Sequence, residues 1–209
     1  MMEDSTAVAA VLDTMVSGDE TTTSVRRVVF FSLLDGVSLS FSEIATKTGL
    51  AIEVVRSVVE QAILGGVATI DGPLEGDPKV VGAEGLTLVE SRHNLLIDGV
   101  DLYTWCAFDI VGIPAALGVD ATGETTCATC SAVISIVITG GEPLESDVVG
   151  WWPLGSTGPV NESFCPTASM FCDPSHLDSW RRNSGANGEM LSLVDLAARG
   201  RITWAKFAS

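Results

Sequence analysis

The apolar residues in the first third of the chain recur at the spacing of α-helices, and a β-hairpin pattern follows them. Three helices followed by a hairpin are typical of a winged helix, so we expect residues 24–82 to form a winged-helix-like domain. In chain order, the pattern predicts a helix around 25–34, a short helix that Gly49 ends, a helix from about Ile52 to Leu64, and strands at 67–70 and 80–81.

The pattern changes at residue 83, where short apolar runs are separated by glycines and turn residues. Strands and helices mix there without strict alternation, which favours an α+β fold with a mixed or antiparallel sheet and flanking helices over residues 83–209. Residues 1–23 are acidic and rich in Ser and Thr, and we expect a flexible arm. The predicted strands are 86–89, 94–97, 132–139 and 147–152; the predicted helices are 103–117, interrupted at Pro114, 177–182 and 189–199; residues 153–163 are predicted to be a loop.

The strongly negative net charge of the chain excludes some classes of binding partner. The chain has 11 basic and 27 acidic residues, a formal net charge of −16, which argues against nucleic acid and anionic membranes as partners. The third predicted helix carries Glu53, Arg56 and Glu60, so it lacks the cations that a DNA-recognition helix needs. Without a signal peptide or an apolar run of roughly 18 residues, the chain is expected to be cytoplasmic.

Five cysteines are the main candidates for chemistry, and in the cytoplasm we expect them to be reduced. Cys106 and Asp109 stand three positions apart at the start of a helical run, so their side chains share one face. A helix N-terminus favours a thiolate, and burial would keep the carboxyl protonated near neutral pH. The spacing alone leaves open that Cys106 is a buried core residue and Asp109 an ordinary carboxylate.

Two further cysteines form a Cys-x-x-Cys motif at Cys127 and Cys130. Such a motif is half of a zinc site or a redox pair. Cys165 and Cys172 would complete four sulfurs, but the six residues between them do not match the spacing of a zinc ribbon. The redox interpretation is weaker, because the motif precedes a strand and does not open a helix.

The remaining candidates are isolated in the sequence. Cys165 lies between Phe and Pro at the end of a Gly/Pro-rich loop, a setting that favours a reactive or ligand role. His93 and His176 have no partner at metal-binding spacing, so we expect solvated or hydrogen-bonded imidazoles.

Three cysteine-containing stretches together resemble one known family. Residues 102–109 read Leu-Tyr-Thr-Trp-Cys-Ala-Phe-Asp and are followed by Pro-Ala-Ala-Leu-Gly at 114–118. This closely resembles the active-site segment of organomercurial (alkylmercury) lyases, Tyr-x-Trp-Cys-Ala-x-Asp and then Pro-Ala-x-Leu-Gly. The Ser-Phe-Cys at 163–165 resembles the family's second cysteine motif, and the position of Cys127 matches its third, structural cysteine. The resemblance covers about residues 24–203.

The resemblance implies protonolysis of a carbon–mercury bond. Cys106 and Cys165 would bind mercury as thiolates, and Asp109 would carry a proton to the leaving carbon. No cofactor would be required; Hg(II) would stay on these three residues until cytosolic thiols or mercuric reductase removed it. The other residues implied are Trp105, Phe164 and Tyr103 as substrate-binding residues and Cys127 as a structural residue.

The chain also departs from the family pattern. Pro166 stands where many relatives have a further cysteine, and Asn161 replaces a basic residue. Cys130 and Cys172 are additional thiols that would form a second soft-metal site or interfere with the first. Three alternatives therefore stay open: a non-catalytic carrier or sensor of Hg, Cu or Zn, a winged-helix regulator, and a biosynthetic enzyme on the same scaffold. Asp109 separates the first from a lyase, because a carrier needs no proton donor.

Overall fold

The computed structural model describes residues 18–208. Most of the arm expected at 1–23 lies outside these residues. Its last four positions are helical, because the Asp19 carboxylate accepts the Thr22 N–H at 2.8 Å and caps the first helix. The helices are α1 (Glu20–Leu34), α2 (Phe41–Thr48), α3 (Ile52–Leu64), α4 (Ala107–Leu117), α5 (Val160–Ser163), α6 (Pro174–Ser184) and α7 (Leu193–Thr203), followed by a 3-10 turn at Ala205–Phe207.

The strands form two antiparallel sheets, so the α+β prediction is confirmed. The larger sheet has the order β1-β3-β4-β6-β5-β7-β8-β9, with β2 also paired to β3, and the smaller has the order β11-β10-β12. The strands are β1 (Leu39–Ser40), β2 (Ala68–Asp71), β3 (Lys79–Ala83), β4 (Leu86–Thr87), β5 (Asn94–Ile97), β6 (Val100–Thr104), β7 (Ala121–Thr126), β8 (Val133–Thr139), β9 (Glu142–Pro143), β10 (Val149–Pro153), β11 (Met170–Phe171) and β12 (Gly188–Ser192).

The N-terminal helices and the later strands share one hydrophobic core. The boundary expected after residue 82 falls inside β3, which pairs with β1 and β2 on the N-terminal side and with β4 beyond it. At the far end of the chain, the ring of Phe207 stacks on Phe30 of α1, with centroids 4.3 Å apart. The first helix is therefore covered by the last residues of the chain.

The helix predicted at 103–117 starts later and is not interrupted. Tyr103 and Thr104 end strand β6, and α4 begins at Ala107. Pro114 lies inside α4; a proline there removes one helical hydrogen bond. Ten of the eleven residues of α4 are buried, and this apolar burial outweighs that loss.

Some other predicted boundaries of helices and strands are also wrong, because tertiary packing overrides the local sequence pattern. The helix predicted at 189–199 is strand β12 up to Ser192 and helix α7 from Leu193, where Ser192 and Asp195 cap each other. Strand β7 and the short helix α5, the latter inside the predicted loop 153–163, were not predicted. Within residues 18–208, no helix combines the length and apolarity needed to cross a bilayer.

Candidate active site

Cys106 occupies the N-cap of the buried helix α4, directly after β6. Its backbone is extended (φ −144°, ψ 167°), and its N–H donates to Asp109 Oδ2 at 2.9 Å. The Asp109 N–H donates back to the Cys106 sulfur, so the two residues form a capping box with a thiol in place of the usual hydroxyl. The local sequence of α4 therefore places the thiol beside the carboxyl.

Cys165 reaches the same place from a distant loop. Its backbone N–H donates to the Val160 carbonyl at 3.1 Å, in the turn that follows α5. The N-terminus of α5 is fixed to the end of α3, because the N–H groups of Val160 and Asn161 donate to the carbonyls of Gly65 and Gly66 at 3.0 and 3.2 Å. The N-terminal helices thus hold the loop that carries the second thiol.

The structure brings together Cys106, Asp109 and Cys165, although the two cysteines are 59 positions apart in the sequence. One ligand atom from each of the three lies within 4.8 Å of the others. Their exposed fractions are 0%, 3% and 5%, respectively. A soft metal ion between the two sulfurs would therefore be held away from bulk water, next to a carboxyl group.

Burial dominates the electrostatics of the site. It raises the pKa of the Cys106 thiol well above the ordinary value, and contact with Cys165 and the charge of Asp109 raise it further. The Asp109 N–H at the start of the helix lowers the pKa of Cys106, as expected for a helix N-terminus, but burial outweighs this effect. Burial also raises the pKa of Asp109 to about 7, against the hydrogen bonds that Cys106 donates to it. Asp109 can both accept and release a proton near neutral pH.

The turn between β3 and β4 forms a wall against Asp109. Gly85 has φ +92°, and a Cβ built there would lie 2.8 Å from Asp109 Cγ, so only glycine fits. The preceding residue, Glu84, is buried; it forms ion pairs with Arg26 and with Lys206 (3.5 Å). Charged groups from both ends of the chain therefore fix the turn that confines the carboxyl.

An aromatic residue directly precedes each of the two cysteines in the chain, Trp105 before Cys106 and Phe164 before Cys165. Phe164, a predicted substrate-binding residue, is buried and packs against Phe108 and Trp152, with ring centroids 6.4 and 4.8 Å away. The ring of Trp105 is half-buried and covers Gly82, where a Cβ would lie 3.2 Å from it.

Tyr103 lies on the other face of the large sheet. Helix α4 packs on the face of Gly123, where a Cβ would lie 2.0 Å from Ile110 Cγ2. Gly123 pairs with Leu95, and Leu95 with Leu102, so all three share that face. Tyr103, expected from the family resemblance to bind substrate, follows Leu102 and therefore points away from α4, on which Cys106 and Asp109 lie.

The other three cysteines form a separate group with a histidine. Ligand atoms of Cys127, Cys130, Cys172 and His176 lie within 4.8 Å of one another. Burial raises the pKa of Cys127, but backbone N–H groups of Cys130, Cys172 and Thr129 and the ring of His176 together lower it to about 6.

His176 is a hydrogen-bonded imidazole, one of the two outcomes expected, with its Nδ1 3.5 Å from the Cys127 sulfur. The fourth member of the Cys127 group is this imidazole and not Cys165, which lies with Cys106. The spacing Cys172-x-x-x-His176 was the signal that could have indicated this. His93 fits its expectation: its ring Nδ1 lies 2.8 Å from the Thr125 hydroxyl, and burial lowers its pKa to about 4.

Comparisons with known proteins agree on one family. A family model for alkylmercury lyases matches residues 86–203, more than half of the chain. An alkylmercury lyase of Bacillus cereus is 27% identical over 180 residues, which cover 84% of this chain and 78% of that protein. One of Pseudomonas putida is 32% identical over 124 residues, 54% of this chain and 58% of that protein.

A solved structure has the same fold. The crystal structure of the mercury-bound form of MerB2 superposes with a TM-score of 0.85 at 22% identity and covers 97% of this chain and 100% of that one. With the family match over more than half of its length, the chain belongs to the alkylmercury lyase family of enzymes.

Proposed function

We propose that this protein cleaves the carbon–mercury bond of organomercurials by protonolysis, releasing a hydrocarbon and retaining Hg(II). The observation that carries the proposal is the convergence of two buried thiols and a carboxyl with a raised pKa, all within 4.8 Å. Two sulfurs bind a soft metal ion, and a carboxylic acid beside them supplies the proton that the leaving carbon needs.

Mercury is captured first by thiol exchange at Cys106. A compound R–Hg–SR′ transfers R–Hg to the Cys106 sulfur, and the departing thiolate R′S⁻ takes the Cys106 proton. Mercury remains Hg(II), so the step needs no oxidant or reductant. Asp109 accepts a hydrogen bond from the Cys106 N–H and lies beside the sulfur, so its carboxylate carries this proton.

Cleavage follows when Cys165 joins the metal. The Cys165 sulfur bonds to mercury, its proton passes to Asp109, and Asp109 delivers a proton to the carbon as the carbon–mercury bond breaks. The products are R–H, R′SH and Hg(II) held by two thiolates. A pKa of about 7 suits Asp109 to this exchange, because it is neither firmly protonated nor firmly ionised at neutral pH.

Other residues would line the site, and external thiols would remove the product from it. Trp105 and Phe164 would line the path of the organic group, Tyr103 would support β6 from the opposite face, and Cys127 would be structural. The product Hg(II) would be held by Cys106, Cys165 and Asp109. We expect its transfer from there to cytosolic thiols or to mercuric reductase. We therefore expect the reaction to take place in the cytoplasm, where such thiols are reduced, and to require no cofactor.

We further infer that residues 24–82, the winged-helix-like part, support the catalytic part and bind neither nucleic acid nor membrane. Arg56, the one basic residue of α3, donates to the carbonyls of Leu74 and Gly76 and stacks on Phe41. The guanidinium of Arg56 is therefore occupied by contacts within the fold, and we do not expect it to bind the phosphates of a nucleic acid.

Hydrocarbon release tests the proposal directly. The reduced protein is incubated with phenylmercury or methylmercury and excess small thiol, and benzene or methane is measured by gas chromatography. We expect turnover by the wild type and only background release by Cys106→Ser, since a hydroxyl is a poor ligand for Hg(II). Stoichiometric mercury binding without hydrocarbon would overturn the proposal in favour of a carrier.

A further inference from the structure

We propose that Cys127, Cys130, Cys172 and His176 bind a structural Zn²⁺ ion in a closed Cys3His site, separate from the mercury-binding thiols. The proposed reaction gives none of these three cysteines a chemical role. All four ligand atoms lie within 4.8 Å of one another, from segments more than 40 positions apart.

Two of the six distances between ligand atoms match the edges of a zinc tetrahedron. With Zn–S near 2.3 Å and Zn–N near 2.05 Å, the expected edges are about 3.8 Å between two sulfurs and about 3.6 Å between sulfur and nitrogen. The Cys130 and Cys172 sulfurs are 3.8 Å apart, and the Cys127 sulfur lies 3.5 Å from His176 Nδ1. A disulfide would need about 2.05 Å between the sulfurs and would leave Cys127 and His176 without a role.

The backbone already holds both halves of the site. On one side, the tight turn after Cys127 is closed by the Ser131 N–H, which donates to the Cys127 carbonyl at 2.9 Å. On the other, the N-terminus of α6 is capped by Asp173, whose carboxylate accepts the His176 N–H at 3.0 Å. The Thr129 hydroxyl donates to the His176 carbonyl at 2.8 Å and joins the two halves. These hydrogen bonds therefore fix the two segments that carry the four ligands.

The types of the four ligands favour zinc over other metals and indicate a structural role for the ion. Three thiolates and one imidazole form a common tetrahedral zinc set, and four protein ligands leave no open position for a substrate. Cys130 is exposed and Cys172 and His176 are half-buried, so an ion can enter from solvent. The ion would join the β7–β8 turn to the segment around β11, which follows the Cys165 loop. At this position, zinc would stabilise the loop that carries Cys165.

Metal content and cobalt spectra test the site. The full chain is reduced, stripped with a chelator, reloaded with Zn²⁺ alone and passed through a desalting column before elemental analysis. We expect about one zinc per chain, and with Co²⁺ the thiolate charge-transfer and tetrahedral d–d bands of a Cys3His site. Zinc at about 100 Kd should raise the Tm by ~5–10 °C.

Variants assign the ion to these ligands. Cys130→Ser and His176→Ala should lose most of the zinc and the cobalt bands, whereas His176→Cys should keep a four-thiolate site. Cys106→Ser/Cys165→Ser is the matched control and should retain about one zinc, which also keeps this test independent of the lyase activity.

Several results would overturn the site. They are negligible zinc in the reloaded wild type, cobalt bands that lack tetrahedral thiolate character, zinc that persists in His176→Ala, or zinc lost only in the Cys106→Ser/Cys165→Ser control. The cobalt spectrum of the wild type decides the matter even where a variant fails to fold.

Discussion

The carboxyl of Asp109 is the residue on which the proposed chemistry depends. Asp109 is 3% exposed, its carboxylate accepts a hydrogen bond from the Cys106 N–H, and it lies against the turn that contains Gly85. In the proposed reaction the two thiols would bind mercury, and a proton donor beside them would be needed to release the hydrocarbon. Two predictions at the scale of single residues follow from this position.

Replacing Asp109 by Asn should separate binding from cleavage. Asn keeps the size of the side chain and can still accept the Cys106 N–H, but it cannot carry a proton. Hydrocarbon release should fall about 10²–10⁴-fold, while the stoichiometry of mercury bound by the two thiols stays unchanged. Single-turnover gas chromatography and mercury titration measure the two effects. An unchanged rate of release would show that another group is the acid.

The pKa of Asp109 should appear in the stability of the free protein. Its pKa is raised from 3.8 to about 7 by burial, so the native state holds this proton more tightly than the unfolded state does. The Asp109 contribution to the free energy of unfolding is therefore full below pH 4 and is lost as the pH rises to about 7. Urea unfolding at pH 4.5 and pH 8 should show Asp109→Asn gaining stability relative to the wild type at the higher pH. A difference that does not change with pH would contradict the raised pKa.

At the scale of elements, the site is made by the ends of several elements and by one turn. Cys106 lies where β6 meets α4, and Cys165 follows α5, which is fastened to the end of α3. The β3–β4 turn closes the third side, with Gly85 at φ +92°. The position of Asp109 should therefore be sensitive to substitutions in this turn.

Gly85→Ala should impair the site more than its backbone strain explains. A Cβ at Gly85 would lie 2.8 Å from Asp109 Cγ, so the carboxyl or the turn must shift. Gly99→Ala is the matched control, because Gly99 also has a positive φ of +80°, but no atom of residues 18–208 outside its chain neighbours lies within 4 Å of its Cβ position. Both should lose about 1–2 kcal/mol from backbone strain, but only Gly85→Ala should also lower the rate of hydrocarbon release. Equal rates in the two variants would contradict the assigned contact.

At the scale of the whole molecule, the N-terminal helices and the sheet share one hydrophobic core. Strand β3 belongs to both parts, and Phe207 stacks on Phe30. The buried ion pairs of Glu84 with Arg26 and Lys206 link the same regions. The described residues should therefore unfold as one cooperative unit.

Phe207→Ala tests this cooperativity. Phe207 is 1% exposed, and truncation of a buried Phe typically costs about 3–5 kcal/mol. Circular dichroism, which reports all helices, and tryptophan fluorescence, which reports residues 105–204, should shift to lower denaturant together. The matched control Phe31→Ala, at a half-buried neighbour in the same aromatic group, should cost less. Separate transitions for the two probes would show that the N-terminal part folds independently.

Much of the fold could be predicted because its signals are local. The three N-terminal helices carry their own periodicity and caps, such as the Ser40–Glu43 capping box and the left-handed Gly49. Strand β7 gave no such signal, since its residues Ala-Thr-Gly-Glu-Thr-Thr include few large apolar side chains and it is stabilised by pairing with β5 and β8. The start of α4 was misplaced, because Tyr103 and Thr104 are strand residues through pairing with β5 and β4.

The sequence by itself determined the proximity of Cys106 and Asp109, because three positions at a helix start fix it by backbone geometry. Only the tertiary structure decided the pKa values of these groups, because desolvation depends on every element packed around them. The contacts that pair the thiols also depend on the tertiary structure; from the sequence, only the resemblance to alkylmercury lyases predicted that Cys165 lies with Cys106. Long-range strand pairing and the α3–α5 contact bring Cys165 to Cys106, while the Cys127–Met170 bridge brings Cys172 and His176 to the Cys-x-x-Cys turn. The number of residues between Cys106 and Cys165 does not predict their contact, since the entropy of closing a long flexible loop changes only slowly with its length.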